Sequence, residues 1–412
     1  HYVRPGSFTD AEAQLRGNSV YFTEAVVPML PHLLSSDICS LRPDEDRPVL
    51  SAMITLTSTG DVEEVRFHRA MIRSRHRFTY EEVQDILQSR SGQWYQLLDD
   101  LRRITSGLYA KRVAAGSVDF DIPEPLLELD EYGVPHHIRP SQRLDSHRMV
   151  EECMLLANRL VAERVPQAKP RKPFLYRVHA QPPQDQIRKL TSLLGKLRLP
   201  ELPAGKVTSG HVRDLLQALA DSPYRDLIET ITIRSMAKAL YSADEQPHFG
   251  LAFPLYTHFT SPIRRYSDLI VHRLVSAYLL DGKMPRPGLK ALASVASSCS
   301  EREQTALRAE RAYQRLKELR FLATQVGKSF DGVVSGVLPS GIFVQIREFL
   351  VDGFVGQQWL NDDIYQYDEG HYALRGKHTG RVLQLGQEVH IQVRDVSVER
   401  RFADFILVDG ES

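Results

Sequence analysis

Hydrophobic and polar residues change rhythm twice along the chain. Up to residue 75 the period is near two: "SVYFTEAVVPML" and "SAMITLTSTGDVEEVRFHRAMIRS" are rich in β-branched residues, and "STGD" splits the latter into two arms of a hairpin. From "TYEEVQDILQSR" onward the period becomes 3.6. The clearest helix is "DSHRMVEECMLLANRLVAERV", which Asp145 or Ser146 can cap and in which Met149, Val150, Cys153, Leu156, Ala157 and Leu160 share one apolar face. A Pro- and Lys-rich break at 166–173 precedes a short strand, "FLYRVH", and helices then dominate to residue 326. The last, "SEREQTALRAERAYQRLKELRFLATQVG", is long and charged and ends near Gly327. At Lys328 alternation returns with glycine at the bends, in "SFDGVVSGVLPSGIFVQI" and "GQEVHIQVRDVSVERRFADFIL". That texture predicts a small closed Greek-key barrel over 328–412, behind a larger unit over 1–327.

A chain of 412 residues exceeds what one core usually serves, which agrees with two units. Its 52 basic and 52 acidic side chains cancel, so a polyanionic partner must find a local basic surface rather than a general field. Cys39, Cys153 and Cys299 lie far apart, in no CxxC or Cys/His spacing, and read as reduced thiols of a cytoplasmic protein. No apolar run reaches about 18 residues, so no membrane span is expected. His32, His68, His179 and His258 show no paired ligand spacing and read as packed or exposed histidines rather than zinc ligands. The densest acidic run, Asp44 to Asp46 in "RPDEDRP", reads as a surface loop, and "LDD" at 98–100 and "NDD" at 361–363 are weaker candidates for any cation. The first residue is His1, and "HYVRPGSFTDAEA" enters a turn at once, so material upstream is expected.

The stretch with the most pointed chemistry is "HFTSPIRRYSDLIVHRLV", His258 to Val275. Thr260 and Ser261 are good N-cap residues, Pro262 suits the first helical position, and Ile263, Tyr266, Ile270 and Leu274 recur at helical spacing. This places Arg264 and Arg265 in the first turn, where the backbone dipole disfavours a cation by about 0.3–1 kcal/mol. Two readings follow. Either the guanidinium pair and the helix N-terminus together bind a phosphate or carboxylate, or Asp268 pairs with one arginine and nothing else binds.

"YTHFTSPIRRYSDLIVHRLV" is very similar to the most characteristic motif of the ribonuclease II and ribonuclease R (RNB) exoribonucleases. "HYVRPGS", "RGNSVYF", "VPMLP", "CSLRPDEDRP", "HRMVEECMLLAN", "FLYRVH", "RSMAKALYS" with "HFGLA", and "CSERE…AER" follow in that family's order, and "YDEGHYALRGKHTGRVLQLGQEVHIQV" leans toward the ribonuclease R branch. The resemblance implies an α+β fold: an RNB catalytic domain, with a mixed sheet and packed helices around an RNA channel, followed by an OB-fold RNA-binding barrel. It implies a processive 3′-to-5′ hydrolase that degrades single-stranded RNA to nucleoside 5′-monophosphates with magnesium.

By the same resemblance, Arg264 contacts the phosphate near the scissile bond with Arg265 beside it. Tyr21 and Phe120 clamp the terminal base, Tyr80 helps set the length of the final product, and Glu152 and Glu310 shape the channel. Packing in a strand or at a helix start is the plain alternative for the aromatics, and a solvated helix charge for the acids. In the barrel, Phe330, Phe343 and Phe354 are candidates for base stacking, with Lys328, Arg381 and Arg394 for phosphates. Gly356 stands where many such barrels have a histidine. The family's metal ligands are aspartates just upstream of "HYVRPGS"; they are expected before His1, and no metal ligand is assigned within these residues. A non-catalytic module that binds single-stranded RNA is the alternative.

Overall fold

A computed structural model describes residues 1–120, 123–165, 172–203, 205–222, 224–283 and 289–408. Most of the expected break at 166–173 therefore lies outside the described residues. Strand and helix are mixed through the first unit as anticipated, but among the described residues its strands form separate two-stranded ribbons rather than one sheet. β1 (Val20–Tyr21) pairs with β2 (Val26–Val27), and β3 (Asp46–Leu56) with β4 (Val62–Arg73) around the expected "STGD" turn. β5 (Pro125–Leu129) with β6 (Pro135–Pro140), and β7 (Tyr176–Val178) with β8 (Leu240–Ser242), are also two-stranded and antiparallel. A two-stranded ribbon is marginal by itself, so each must lean on a neighbouring element.

Among the described residues the α-helices are α1 (Phe8–Arg16), α2 (Tyr80–Ser89), α3 (Tyr95–Ala114), α4 (Asp145–Arg164), α5 (Gln184–Lys196), α6 (Ser209–Ala218), α7 (Arg225–Ser235), α8 (Tyr266–Val275) and α9 (Leu289–Ala323). The long α9 packs against β1, β6 and β8 and so supports three of these four two-stranded ribbons. α1 corrects the strand-and-turn reading of residues 1–75. Ser7 caps it by accepting from the Asp10 backbone N–H (3.2 Å), and its buried residues are Asp10 and Ala13, too narrow a face to read as a stripe. Asp10 is held by the Gly6 N–H (2.8 Å), the Tyr266 hydroxyl (3.0 Å) and Arg273 (2.8 Å), which ties α1 to α8.

α4 begins one residue earlier than a cap at Asp145 requires, with Leu144 in the N-cap position. Its buried face is also rotated from the expected one. Glu152 and Asn158 are buried beside Met149, Leu156 and Leu160, while Val150 is 38% exposed.

The expected barrel forms. β9 (Ser329–Leu338), β10 (Gly341–Ile346) and β11 (Asp352–Gly356) lead into a separate three-stranded sheet of β12 (Tyr365–Asp368), β13 (Ala373–Gly376) and β14 (Val382–Gln384). The chain returns through β15 (Glu388–Ser397) and β16 (Phe402–Leu407), which close the barrel in the order β10-β11-β16-β15-β9. Ile342, Val344, Val355, Ile391, Val393 and Phe405 are fully buried inside it. This core runs without a break into residues of α5, α6 and α7, so the barrel is packed on the first unit rather than tethered to it. No helix among the described residues is long and apolar enough to cross a membrane.

At Gly353 the Phe405 ring lies directly on the backbone, and an added Cβ would fall 2.2–2.5 Å from three ring carbons. Gly353→Ala is expected to destabilise the protein by about 1–3 kcal/mol through overpacking. Urea denaturation measures this, and an unchanged midpoint would contradict the packing described.

Candidate functional site

The "TSPIRR" segment does not start a helix. Pro262 to Arg264 form a turn, and α8 starts at Tyr266 with Arg265 as its N-cap residue in an extended conformation (φ −133°, ψ 123°). The cause is backbone pairing with a distant segment. The Ser19 N–H donates to the Arg264 carbonyl (3.0 Å), the Tyr266 N–H donates to the Gly17 carbonyl (2.8 Å), and Asn18 and Arg265 form an antiparallel bridge. A residue held in such a bridge cannot take helical dihedrals. The segment comes this close to α9 because residue 17 is glycine: it has φ 71°, and a Cβ there would lie 2.4 Å from the Arg302 Cβ.

Asp268, in the first turn of α8, is completely buried. Its Oδ1 accepts from the Ser261 N–H (2.8 Å) and from Arg265 Nη2 (2.8 Å), and its Oδ2 accepts from the Ser267 hydroxyl (3.0 Å). The anion expected at this helix terminus is therefore supplied by the chain itself. The ion-pair reading holds for Arg265, whose side chain is 15% exposed. Arg264 is different: it is exposed, and its side chain has no hydrogen bond or ion pair among the described residues. Behind the pair, His258 Nδ1 lies 2.8 Å from the Tyr241 hydroxyl. Burial, then the charges of Arg265 and Arg177, pushes this imidazole well below its ordinary range and keeps it neutral.

A second group forms around His147. Tyr80 is the first residue of α2, which a capping box of Thr79 and Glu82 fixes, and its ring stacks on His147 at 4.0 Å and 27°. His147 also lines a cavity of about 490 Å³ together with Phe120, Ser141 and Arg143. Arg143 bridges Asp119 (2.9 Å) and Glu151 (2.7 Å); burial opposes its charge, but the two carboxylates hold it protonated. Across the stack, Tyr80, Leu98, Met149, Cys153 and Thr260 border another cavity of similar size. Thr260 adjoins the Arg264 turn, so Tyr80 is brought toward it, while Phe120 lines the cavity on the other side of His147. His147 was missed because a lone histidine in a helix's first turn carries no spacing signal.

Tyr21 and Glu310 meet directly: the Tyr21 N–H donates to Glu310 Oε1 (2.8 Å), and Tyr21 as a residue remains 47% exposed. Glu152 does not line an open channel. Arg112 holds it through Nε (3.0 Å) and Nη2 (2.5 Å), and both side chains are 4% exposed. This is a buried ion pair, completed by Arg112 Nη1 donating to Ser117 Oγ (2.7 Å).

On the barrel, Phe343 and Phe354 are cross-strand partners with ring centroids 5.0 Å apart, and Phe402 extends the patch 5.8 Å from Phe354. Phe330 instead packs on Phe349 (5.2 Å) toward the core. Arg394 stacks on Trp359, Arg381 bonds Asp362 (2.9 Å), and Lys328 bonds Gln325 (2.9 Å), so these cations are engaged within the chain. Among the described residues, no group of three or more His, Cys, Asp or Glu is arranged to hold a metal ion. Asp44, Glu45 and Asp46 are paired with Arg75, Arg47 and Arg73. The residues present do not fit a magnesium site, which needs several converging oxygens.

Residues 1–281 match the RNB domain and residues 324–405 the S1 RNA binding domain. Ribonuclease R of Escherichia coli (strain K12) is 35% identical over 429 residues, covering 100% of this chain and 52% of that protein. Ribonuclease R of Thermotoga maritima is 37% identical over 422 residues, covering 100% and 59%. The chain thus spans little more than half the length of these curated relatives. The solved structure of Mycoplasma genitalium RNase R in complex with ribose methylated single-stranded RNA matches with a TM-score of 0.93 at 28% identity, covering 99% of this chain and 65% of that one.

The two kinds of charged residue predict different costs. Glu152→Ala strands Arg112 and is expected to lower stability by about 3–5 kcal/mol. Arg264→Ala should change it by no more than about 0.5 kcal/mol. Denaturation midpoints measure both, and equal shifts would contradict the assignment.

Proposed function

Because the chain belongs to the RNB family, we propose that the whole protein is a processive exoribonuclease that hydrolyses single-stranded RNA from its 3′ end to nucleoside 5′-monophosphates. The observation that carries this reading is the divergent fate of two adjacent arginines. Arg265 is tied to Asp268, whereas Arg264 stands free on a turn fixed by backbone hydrogen bonds to Gly17 and Ser19. A cation held ready in this way stabilises charge developing on a phosphate without reorganising first. Arg264 then meets the phosphate near the scissile bond, and Arg265 braces the turn from behind.

In this reading Tyr21 and Phe120 clamp the terminal base, Tyr80 stacked on His147 bounds the last positions of the strand, and Glu310 steadies the Tyr21 backbone. Phe343 and Phe354, joined by Phe402, offer a stacking surface to bases farther from the 3′ end. Glu152 is assigned to the fold instead. The catalytic unit is residues 1–327 and the RNA-binding barrel 328–412, in a cytoplasmic enzyme. The cofactor is magnesium, held by aspartates expected upstream of His1; when bound it supplies an activated water and neutralises phosphate charge.

Arg264→Ala in the whole protein is expected to lower turnover about 10²–10³-fold, the loss typical of one removed stabilising donor, while affinity for single-stranded RNA falls only a few-fold. Single-turnover kinetics beside equilibrium binding separates the two. A collapse of binding with an unchanged rate per bound complex would contradict the role. The 412-residue chain alone should bind RNA but release no mononucleotides in magnesium; release would contradict placing the metal ligands outside it.

A further inference from the structure

α9 presents Glu310, Tyr313 and Lys317 along one face, three and four residues apart. All three engage the β1–β2 hairpin that carries Tyr21. Glu310 accepts the Tyr21 N–H, the Tyr313 ring packs on Phe22 at 4.7 Å, and the Lys317 ammonium donates to the Glu24 carboxylate. Lys317 also donates to the Gly133 carbonyl, in the turn between β5 and β6. That turn is shaped by Asp130, whose carboxylate accepts from the Tyr132 N–H (2.9 Å) and the Val134 N–H (2.8 Å). Gly133 has φ 72°, and a Cβ there would lie 3.3 Å from Glu24 Oε1 and 3.6 Å from Lys317 Nζ. Three elements separate in sequence therefore close around one ammonium.

The Lys317 side chain is 3% exposed. Burying an ammonium is costly unless it is paired and hydrogen-bonded, and a methionine would fill similar space without that cost. What the lysine adds is direction: it bonds two groups at set positions, where an apolar residue would only fill volume. Burial works against its charge, yet Glu24 and Tyr313 hold it above its ordinary range, while Lys317 in turn helps hold Glu24 below its own. The pair stays ionised.

We propose that Lys317 is a positioning residue: by fixing Glu24 and the Gly133 turn on α9, it sets where the exposed Tyr21 ring meets the 3′-terminal base. This rests on the role given to Tyr21 above. The test uses the whole protein and a single-stranded oligoribonucleotide with 2-aminopurine at its 3′ end, whose emission falls when the base stacks on a ring. The unaltered protein is expected to quench on binding. Lys317→Met should keep affinity within a few-fold but lose most of the quenching and about 10- to 100-fold of turnover, as misplacement of a positioning group does. Tyr21→Ala should lose the same quenching, and the double variant no more than either. Glu24→Gln, which loosens the same contact, serves if Lys317→Met does not fold. Quenching by Lys317→Met equal to that of the unaltered protein, losses that multiply with Tyr21→Ala, or no quenching by the unaltered protein would each overturn the inference. If the unaltered protein quenches yet releases no mononucleotides, the hydrolytic reading fails while the positioning role is still decided by the quenching series.

Discussion

A buried carboxylate is the costliest group to leave without partners, and Asp268 has no contact with solvent. Its three donors, the Ser261 N–H, Arg265 and the Ser267 hydroxyl, all come from within seven residues and converge on the first turn of α8. The arrangement fixes a loop that would otherwise be free. Because Ser261 and Arg265 are bound from inside, the turn between them has one way to face, and Arg264 is left on its outer side. Gly17 to Ser19 then hold the same turn from another direction through the backbone. A single ion pair thus separates two chemically identical neighbours into one that is held inside and one that is left exposed.

α9 extends this order across the molecule. Its first half meets the Gly17 segment through Arg302, its middle holds the Tyr21 hairpin, and its end delivers the chain to the barrel, where the Gly327 N–H donates to the Val393 carbonyl (2.8 Å). The barrel core merges with that of α5 to α7, so the aromatic pair of Phe343 and Phe354 is carried on a body continuous with the first unit. Aromatic and cationic contacts gain from such support, since a contact group held in place loses little freedom on binding.

What could be read from sequence was what is local. The "STGD" hairpin and the barrel were legible because turn residues and alternation act over a few positions. The α8 start was misread because Thr260, Ser261 and Pro262 are good start signals, but pairing with Gly17 to Ser19, some 250 residues earlier, overrides them. The α4 face was misread because Arg112, on α3, neutralises Glu152 and draws a charged residue inward. α1 was missed since Asp10 and Ala13 make no apolar stripe. For the site, the residues alone left the arginines between two readings, and family resemblance supplied the roles. It named Tyr21 and Glu310, which touch, but not Lys317, His147 or Phe402, whose contacts around the named residues are visible only in three dimensions.

In the proposed function Asp268 occupies Arg265 and thereby frees Arg264 for a nucleic-acid phosphate. The most direct measurement is the salt dependence of single-stranded RNA affinity for the unaltered protein and for Arg264→Ala. Loss of one phosphate contact should reduce the slope of log affinity against log salt by about 0.7. An identical slope would mean that Arg264 meets no phosphate, and the account of this turn would be wrong.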